Sequence, residues 1–437
     1  MDASPERLLI RRAALLVTVD PELGHGPLGT LEHADVLIDQ GVIVGVGHDL
    51  EATGATVVDV SGRIVMPGFV DTHDHLWQSL IRGCRTDGNV LEWLNDCVFS
   101  VAGAGLSEDE VRAGVRLSTL GLVHTGVTTV LDWSHSFTPA FVRGNLAALA
   151  ESGLRHVYGY YGNERPETLE DISRVASLVG PQGLVGLHVC SHPDITQVAA
   201  LRGLAEVAAG LGARFGVHLL EAAAQREDRP VEALVKAGAM GPSLVADHAV
   251  HLDDDEIAAL GEADAAVTHN PLSNMRLASG IAPVPKLREA GVRLGLGLDG
   301  GTNDVPDAFA TMRAAVGLQR ARSLDPQIYP GTADAIRLAT MGGAEVLGLA
   351  ETIGSLTPGK QADLIVLDPA WLGFAPRWDW PGQLVFSAQP QMVESVYVGG
   401  RALMRGGRLL GVDAAEVTAA ATAASVTLQR RIGRTPA

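Results

Sequence analysis

The sequence sets imidazoles and carboxylates at the ends of apolar runs. Asp71-Thr72-His73-Asp74-His75 follows IVMPGFV and His218-Leu219-Leu220-Glu221 follows ARFGV, while His248, His269 and Asp299 close LVAD, DAAVT and VRLGLGL. Alternate residues of a strand face one side, so His73 and His75 can point together. Paired imidazoles of this kind suit Zn2+ or Fe2+. Taken singly, each group has a plainer reading: two unrelated surface histidines, a satisfied core histidine at His218, a helix cap at Asp299. Their joint appearance at the ends of separate runs argues for one shared site.

The elements that must carry these groups are eight short, β-branched, apolar runs. They are IVMPGFVDTH, 127–132, 155–161, 183–189, 213–220, 244–250, 264–270 and 292–299, with helix-like segments such as Glu108–His124 and Ile195–Gly210 between most of them. Runs apolar on both faces belong in a parallel sheet, and eight of them predict an α/β protein built on a (β/α)8 TIM barrel. In such a barrel, catalytic groups gather at the C-terminal rim of the strands. Residues 1–62 and 358–412 have a different texture of short strands, including ADLIVLD (362–368) and VESVYVGG (393–400). Neither piece can bury a face alone, so the two are expected to combine into one small β-sandwich. The barrel then spans 63–357. Gly41–Gly47 has the wrong glycine spacing for a dinucleotide loop and no helix after it, which predicts a hairpin. Residues 413–437 read as a terminal helix and tail, opening on a capping-box-like Asp-Ala-Ala-Glu and ending in Arg430-Arg431. The alanine-rich face of that helix leaves a homo-oligomer open.

Apolar residues are 46% of the 437, enough for a large core, and the net charge is −18. So acidic a surface repels phosphate backbones and anionic lipid, which argues against nucleic-acid and membrane partners. No run of about 18 uncharged apolar residues occurs, and Arg11 and Arg12 interrupt the N-terminal apolar stretch that a signal peptide needs. Cys84, Cys97 and Cys190 are odd in number and lack C-x-x-C spacing. Neither a disulfide framework nor a thiolate zinc site is expected, and a reducing cytoplasm fits.

PGFVDTHDH, HLLE, ADH, THNPLSN and GLGLDGGTND together resemble the signatures of the amidohydrolase superfamily, most closely its branch of cytosine, guanine and S-adenosylhomocysteine deaminases and triazine hydrolases. The resemblance covers nearly the whole chain. It implies one divalent metal ion, Zn2+ or Fe2+, held by His73, His75, His218 and Asp299, with Glu221 as general acid–base and a further histidine at His248. LHVCSH, at the end of the fourth run, holds no lysine, so the two-metal branch with a carbamylated lysine is disfavoured. The family's usual threonine before the last aspartate is Leu298 here, and Thr302-Asn303 replaces a Ser-Asn stretch, which leaves the substrate open.

The chemistry implied is hydrolytic deamination of an amino-substituted N-heterocycle of purine, pyrimidine, pterin or triazine type, releasing ammonia or an amine. Asp299 takes a proton from the attacking water, His248 orients that water, and Glu221 protonates the ring nitrogen. Gln78, Trp77, Trp93, Trp133 and His188 are the expected substrate contacts. For the tryptophans a plain core role is the alternative, and for Gln78 a helix-start cap. His251 and His269 are further ring-contact candidates, and Asn274 and Asn303 are expected to fix loops. Cyclic amide hydrolysis or dechlorination on the same groups is a rival reading, and an inactive scaffold a remote one.

Overall fold

The computed structural model describes residues 7–51, 53–163, 165–300 and 305–435. Eight parallel strands follow one another in chain order: Phe69–Asp74, Val127–Ser134, Arg155–Tyr161, Leu184–Ser191, Arg214–Leu219, Leu244–His248, Ala266–His269 and Arg293–Leu296. They are the eight runs expected, and helices alternate with them. Their β-branched composition matches their burial; every residue of Val127–Ser134 is inside. The seam between the eighth strand and the first is drawn together at the rim. There the Asp299 N–H donates to the His73 carbonyl at 2.7 Å, and the Leu298 N–H donates to Asp71 Oδ1 at 3.0 Å.

The first expected run is in fact two strands in two sheets. Ile64–Pro67 pairs antiparallel with Leu364–Leu367, joining the two ends of the chain. At Gly68 a side chain would overlap Thr128, and the chain crosses there into the barrel strand Phe69–Asp74. Period-two alternation lets the short strand serve both layers. Ile64 and Met66 enter the main core, while Val65 joins a separate cluster with Leu8, Val36, Leu364 and Tyr397. Among the described residues the outer sheet has nine strands drawn from both termini. Its Thr30–Asp39 and Val42–Gly47 form the expected hairpin, turning through Gln40 (φ 48°) and Gly41 (φ 81°), the two left-handed residues of a type I′ turn.

Helix Glu108–His124 opens on a reciprocal cap between Ser107 and Glu110, and the terminal helix Ala414–Arg431 packs beside it. Arg431 pairs with Glu110 at 2.6 Å, and Ser425 Oγ donates to the Leu80 carbonyl at 2.7 Å. Val417, Ala421 and Leu428 of this helix are buried against the chain itself.

The cysteines correct the expectation drawn from their spacing. Cys84 and Cys97 are disulfide-bonded, with Cα atoms 6.2 Å apart, and Cys190 is free and buried. The short helical turns Val90–Trp93 and Leu94–Phe99 fold the segment back on itself, a proximity that a spacing rule does not reveal. Among the described residues no helix is long and apolar enough to cross a membrane.

Candidate active site

The strand ends meet at one floor. Nε2 of His73 and Nε2 of His75 each lie 3.5 Å from Asp299 Oδ1, and His248 Nε2 lies 3.8 Å from Asp299 Oδ2. The His218 ring centroid is 4.9 Å from that of His73 and 5.4 Å from that of His75. Ring nitrogens of His73, His75 and His218 all fall within 4.8 Å of one another, as do donor atoms of His73, His248 and Asp299. The backbone departs from strand geometry to arrange this. Leu220, His248, Ala249 and Asp299 have φ of 48°, 72°, 50° and 55°. Residues with a Cβ pay for the left-handed region and keep it where tertiary structure demands it.

One imidazole is hydrogen-bonded from behind, and a second has a buried carboxylate behind it. His75 Nδ1 is 2.7 Å from the Trp133 carbonyl, which accepts its hydrogen, and His73 Nδ1 is 3.2 Å from the buried Asp247 Oδ1. The hydrogen bond at His75 Nδ1 aims its Nε2 at the shared centre, the usual arrangement behind a metal-binding histidine. Burial depresses His75 to about 3 and His218 well below the ordinary range, so both rings keep a free lone pair. His218 Nδ1 is buried with no hydrogen-bond partner among the described residues. Burial alone would raise Asp299, but the imidazoles of His73, His248 and His75 hold it below the usual carboxylate range. Three imidazoles around one carboxylate, without a thiolate, fit a divalent cation.

Above the floor opens a cavity of about 220 Å³. Glu221 lies on its wall, with Oε1 3.8 Å from His248 Nδ1. Burial pushes its carboxyl up, and the Asp299 charge adds to this against the opposing His248. Asn274 accepts the Nδ1 hydrogen of His248 at 2.8 Å; this side chain was expected to brace a loop and instead orients the histidine. Val90, Trp93, Leu94, Val98 and Phe99 form an apolar wall, and Gln225, Ser273 and Arg276 line the cavity as well.

Among the expected substrate contacts, Gln78 and Trp93 line the cavity, and Trp77, Trp133 and His188 do not. Gln78 Oε1 lies so near Gly300 that a side chain placed there would meet it. Trp77 is buried behind the wall, and its Nε1–H donates to His135 Nδ1 at 3.0 Å. Trp133 packs edge-on to His218 at 4.3 Å. His188 and Cys190 share one face of the strand Leu184–Ser191 by alternation, at about 3.3 Å per residue, and His192 follows just past its end. His188 therefore sits deep in the barrel, where a side chain on Gly216 would touch it, and His192 is the one that reaches the cavity. Neither His251, whose Nε2 is 2.7 Å from the Ser279 carbonyl, nor His269 lines the cavity. Thr302 and Asn303 lie outside the described residues.

His135, His192 and Asp247 are the residues that sequence reasoning passed over. The second strand runs on to Ser134, two residues beyond its expected end, which brings His135 to the rim. The polar Trp-Ser-His closing an apolar run was the available signal. Asp247 sat beside His248 in the same ADH motif.

The amidohydrolase family signature matches residues 64–403. The chain is 34% identical over 425 residues to a 5-methylthioadenosine/S-adenosylhomocysteine deaminase of Syntrophobacter fumaroxidans, covering 92% of this chain and 94% of that protein. It is 32% identical over 444 residues to a 5′-deoxyadenosine deaminase of Methanosarcina acetivorans, covering 97% and 99%. A zinc-bound adenosine deaminase from Xanthomonas campestris superposes with a TM-score of 0.88 at 27% identity, covering 97% of this chain and 98% of that one. With motifs, barrel and rim cluster in agreement with these matches, the chain belongs to the amidohydrolase family.

Proposed function

We propose that this protein is a divalent-metal aminohydrolase that replaces the exocyclic amine of an adenine-type nucleoside with a carbonyl and releases ammonia. The observation that carries the reading is Glu221, a buried carboxyl whose pKa burial pushes upward, set beside the imidazole–carboxylate cluster on the wall of the cavity. The names of the relatives supply the substrate class, adenosine-derived nucleosides altered at the 5′ position. In this reading residues 63–357 are the catalytic body, and 1–62 with 358–412 its support.

His73, His75, His218 and Asp299 would hold the ion, with Zn2+ the first choice for this donor set. When bound, the ion supplies Lewis acidity that lowers the pKa of a neighbouring water toward neutrality. Asp299 accepts the proton of the attacking water. His248, its Nδ1–H tied to Asn274, presents Nε2 toward Asp299 and orients that water. Glu221 gives its proton to the ring nitrogen next to the attacked carbon. Regenerated by transfer from the attacking side, it then protonates the departing amine. Each such transfer contributes about 10²–10⁴ in rate. Atoms balance as heterocyclic amine plus water giving lactam plus ammonia.

The test is ammonia release from adenosine, 5′-deoxyadenosine, 5′-methylthioadenosine, S-adenosylhomocysteine, guanine, cytosine, a pterin and an aminotriazine. Turnover of the 5′-altered adenosines above the others supports the proposal. Chloride release from a chlorotriazine, or opening of a cyclic amide, with no ammonia from any purine would replace it with the rival hydrolase reading.

A further inference from the structure

The hydrogen bond between Trp77 and His135 can run in one direction only. An indole nitrogen carries a hydrogen and offers no acceptor, so Trp77 donates, and the atom it meets at 3.0 Å is Nδ1 of His135. An accepting Nδ1 is unprotonated, which places the hydrogen of the neutral ring on Nε2. Trp77 is fully buried, with its ring edge-on to His135, Phe137 and Phe141, so the indole has no alternative orientation to adopt. His135 lines the cavity. With Nδ1 engaged from behind, the edge it offers to the cavity is Nε2–H.

The position matters as much as the tautomer. His135 lies beside His75, with ring centroids 4.8 Å apart, whereas Glu221 lies beside His248. His75 faces Oδ1 of Asp299 and His248 faces Oδ2. Two hydrogen donors thus flank the cluster from the two sides of one carboxylate. Taking the aminohydrolase reading as its basis, we infer that His135 is a specificity-determining donor: its Nε2–H meets the lone pair of a second ring nitrogen, distinct from the one that Glu221 protonates. Trp77 is a positioning residue that fixes the tautomer and never touches substrate. The site then selects aminoheterocycles with acceptors on two edges. An analogue lacking the second acceptor leaves a desolvated N–H unpaired and is rejected.

The experiment pairs a spectroscopic readout with kinetics. Nitrogen-15 NMR of the wild-type protein should show His135 protonated at Nε2, and Trp77→Phe should redistribute the tautomers. Deaza analogues of the best purine substrate, each with one ring nitrogen replaced by CH, should include one whose KM rises roughly tenfold with little change in kcat. His135→Phe should abolish that one difference, and His135→Gln, which keeps an N–H donor, should restore part of it. The analogue lacking the nitrogen served by Glu221 should instead lose kcat in every variant. A wild-type His135 protonated at Nδ1, or a His135→Phe protein that weakens all analogues by one factor, overturns the inference. Absence of ammonia release from any heterocycle by wild type would overturn the aminohydrolase reading instead. The NMR result and calorimetric binding of the same analogues would then decide the role of His135 separately.

Discussion

Glu221, His248 and Asp299 stand at the ends of strands hydrogen-bonded into the barrel, whereas Val90, Trp93 and Leu94 stand on short helical turns outside any ladder. The first group is pinned residue by residue, with left-handed backbone at His248 and Asp299 and Asn274 on His248, and the neighbouring His75 is tied to the Trp133 carbonyl. The second group is held as a block. A disulfide closes Cys84 to Cys97 around it, Arg85 pairs with Asp96 at 3.2 Å, and Arg434 reaches back to Cys84 Sγ and the Asp96 carbonyl at 3.1 and 2.8 Å. Under the proposed function, floor and wall divide the work: the groups assigned to bond making and breaking stand on the barrel, and those assigned to enclosing substrate stand on a stapled segment. Substitutions should sort by region, with floor changes appearing in kcat or metal content and wall changes in KM.

The largest effect expected is at the cluster. His218→Ala should lose bound metal and activity together, and chelation of wild type should do the same until Zn2+ or Fe2+ is returned; elemental analysis alongside ammonia release checks both. Next comes Glu221→Gln, which should retain stoichiometric metal and normal folding while kcat falls by roughly 10²–10⁴. Wild-type turnover in that variant would remove Glu221 as the proton donor and erase the distinction between ligand and acid–base group. A smaller effect is expected at the wall. Reducing the disulfide, or replacing both Cys84 and Cys97 by Ser, should raise KM by roughly two- to tenfold and leave kcat within a factor of about two, because the constraint acts on the loop and not on the floor. A fall in kcat with unchanged KM would show that the wall takes part in the chemistry.

The floor was legible in the sequence for a physical reason. A strand that ends at the rim of a parallel barrel must present its last polar residues there, so His73, His75, His218, His248 and Asp299 announce themselves by following apolar runs. Of the wall only Trp93 was singled out in the sequence; Val90, Leu94 and Phe99 were not legible, because they take their places from a cross-link and from packing distant in sequence. The same limit explains Trp77 and Trp133. Composition marks a tryptophan as bulky, but only the fold tells whether it faces the cavity or lies behind a histidine. His188 failed through depth, since alternation gives its face but not how far below the rim it stops. Pro67-Gly68 hid a change of sheet within one unbroken apolar run.

The smallest effect lies farthest from both regions, at the pair joining the terminal helix to helix Glu108–His124. Burial alone would raise Glu110, but Arg431 and the Ser107 cap hold its carboxyl below the ordinary 4.5. A carboxyl lowered on folding contributes stability above its unfolded pKa and loses it as pH falls through the folded value. Glu110→Gln should therefore cost about 1 kcal/mol at neutral pH, limited by the partial exposure of Arg431, and nothing in strong acid. Urea midpoints at the two pH values measure the difference.

Arg431 and Arg434 give the far end of the chain a mechanical bearing on catalysis. Arg431 donates to the Gly105 carbonyl at 2.6 Å and Arg434 grips the cross-linked segment, so the terminal helix acts as a brace on the apolar wall although it lines no part of the cavity. Proteolytic trimming upstream of Arg431 would register first as weakened substrate affinity, before any loss of metal or of folded barrel.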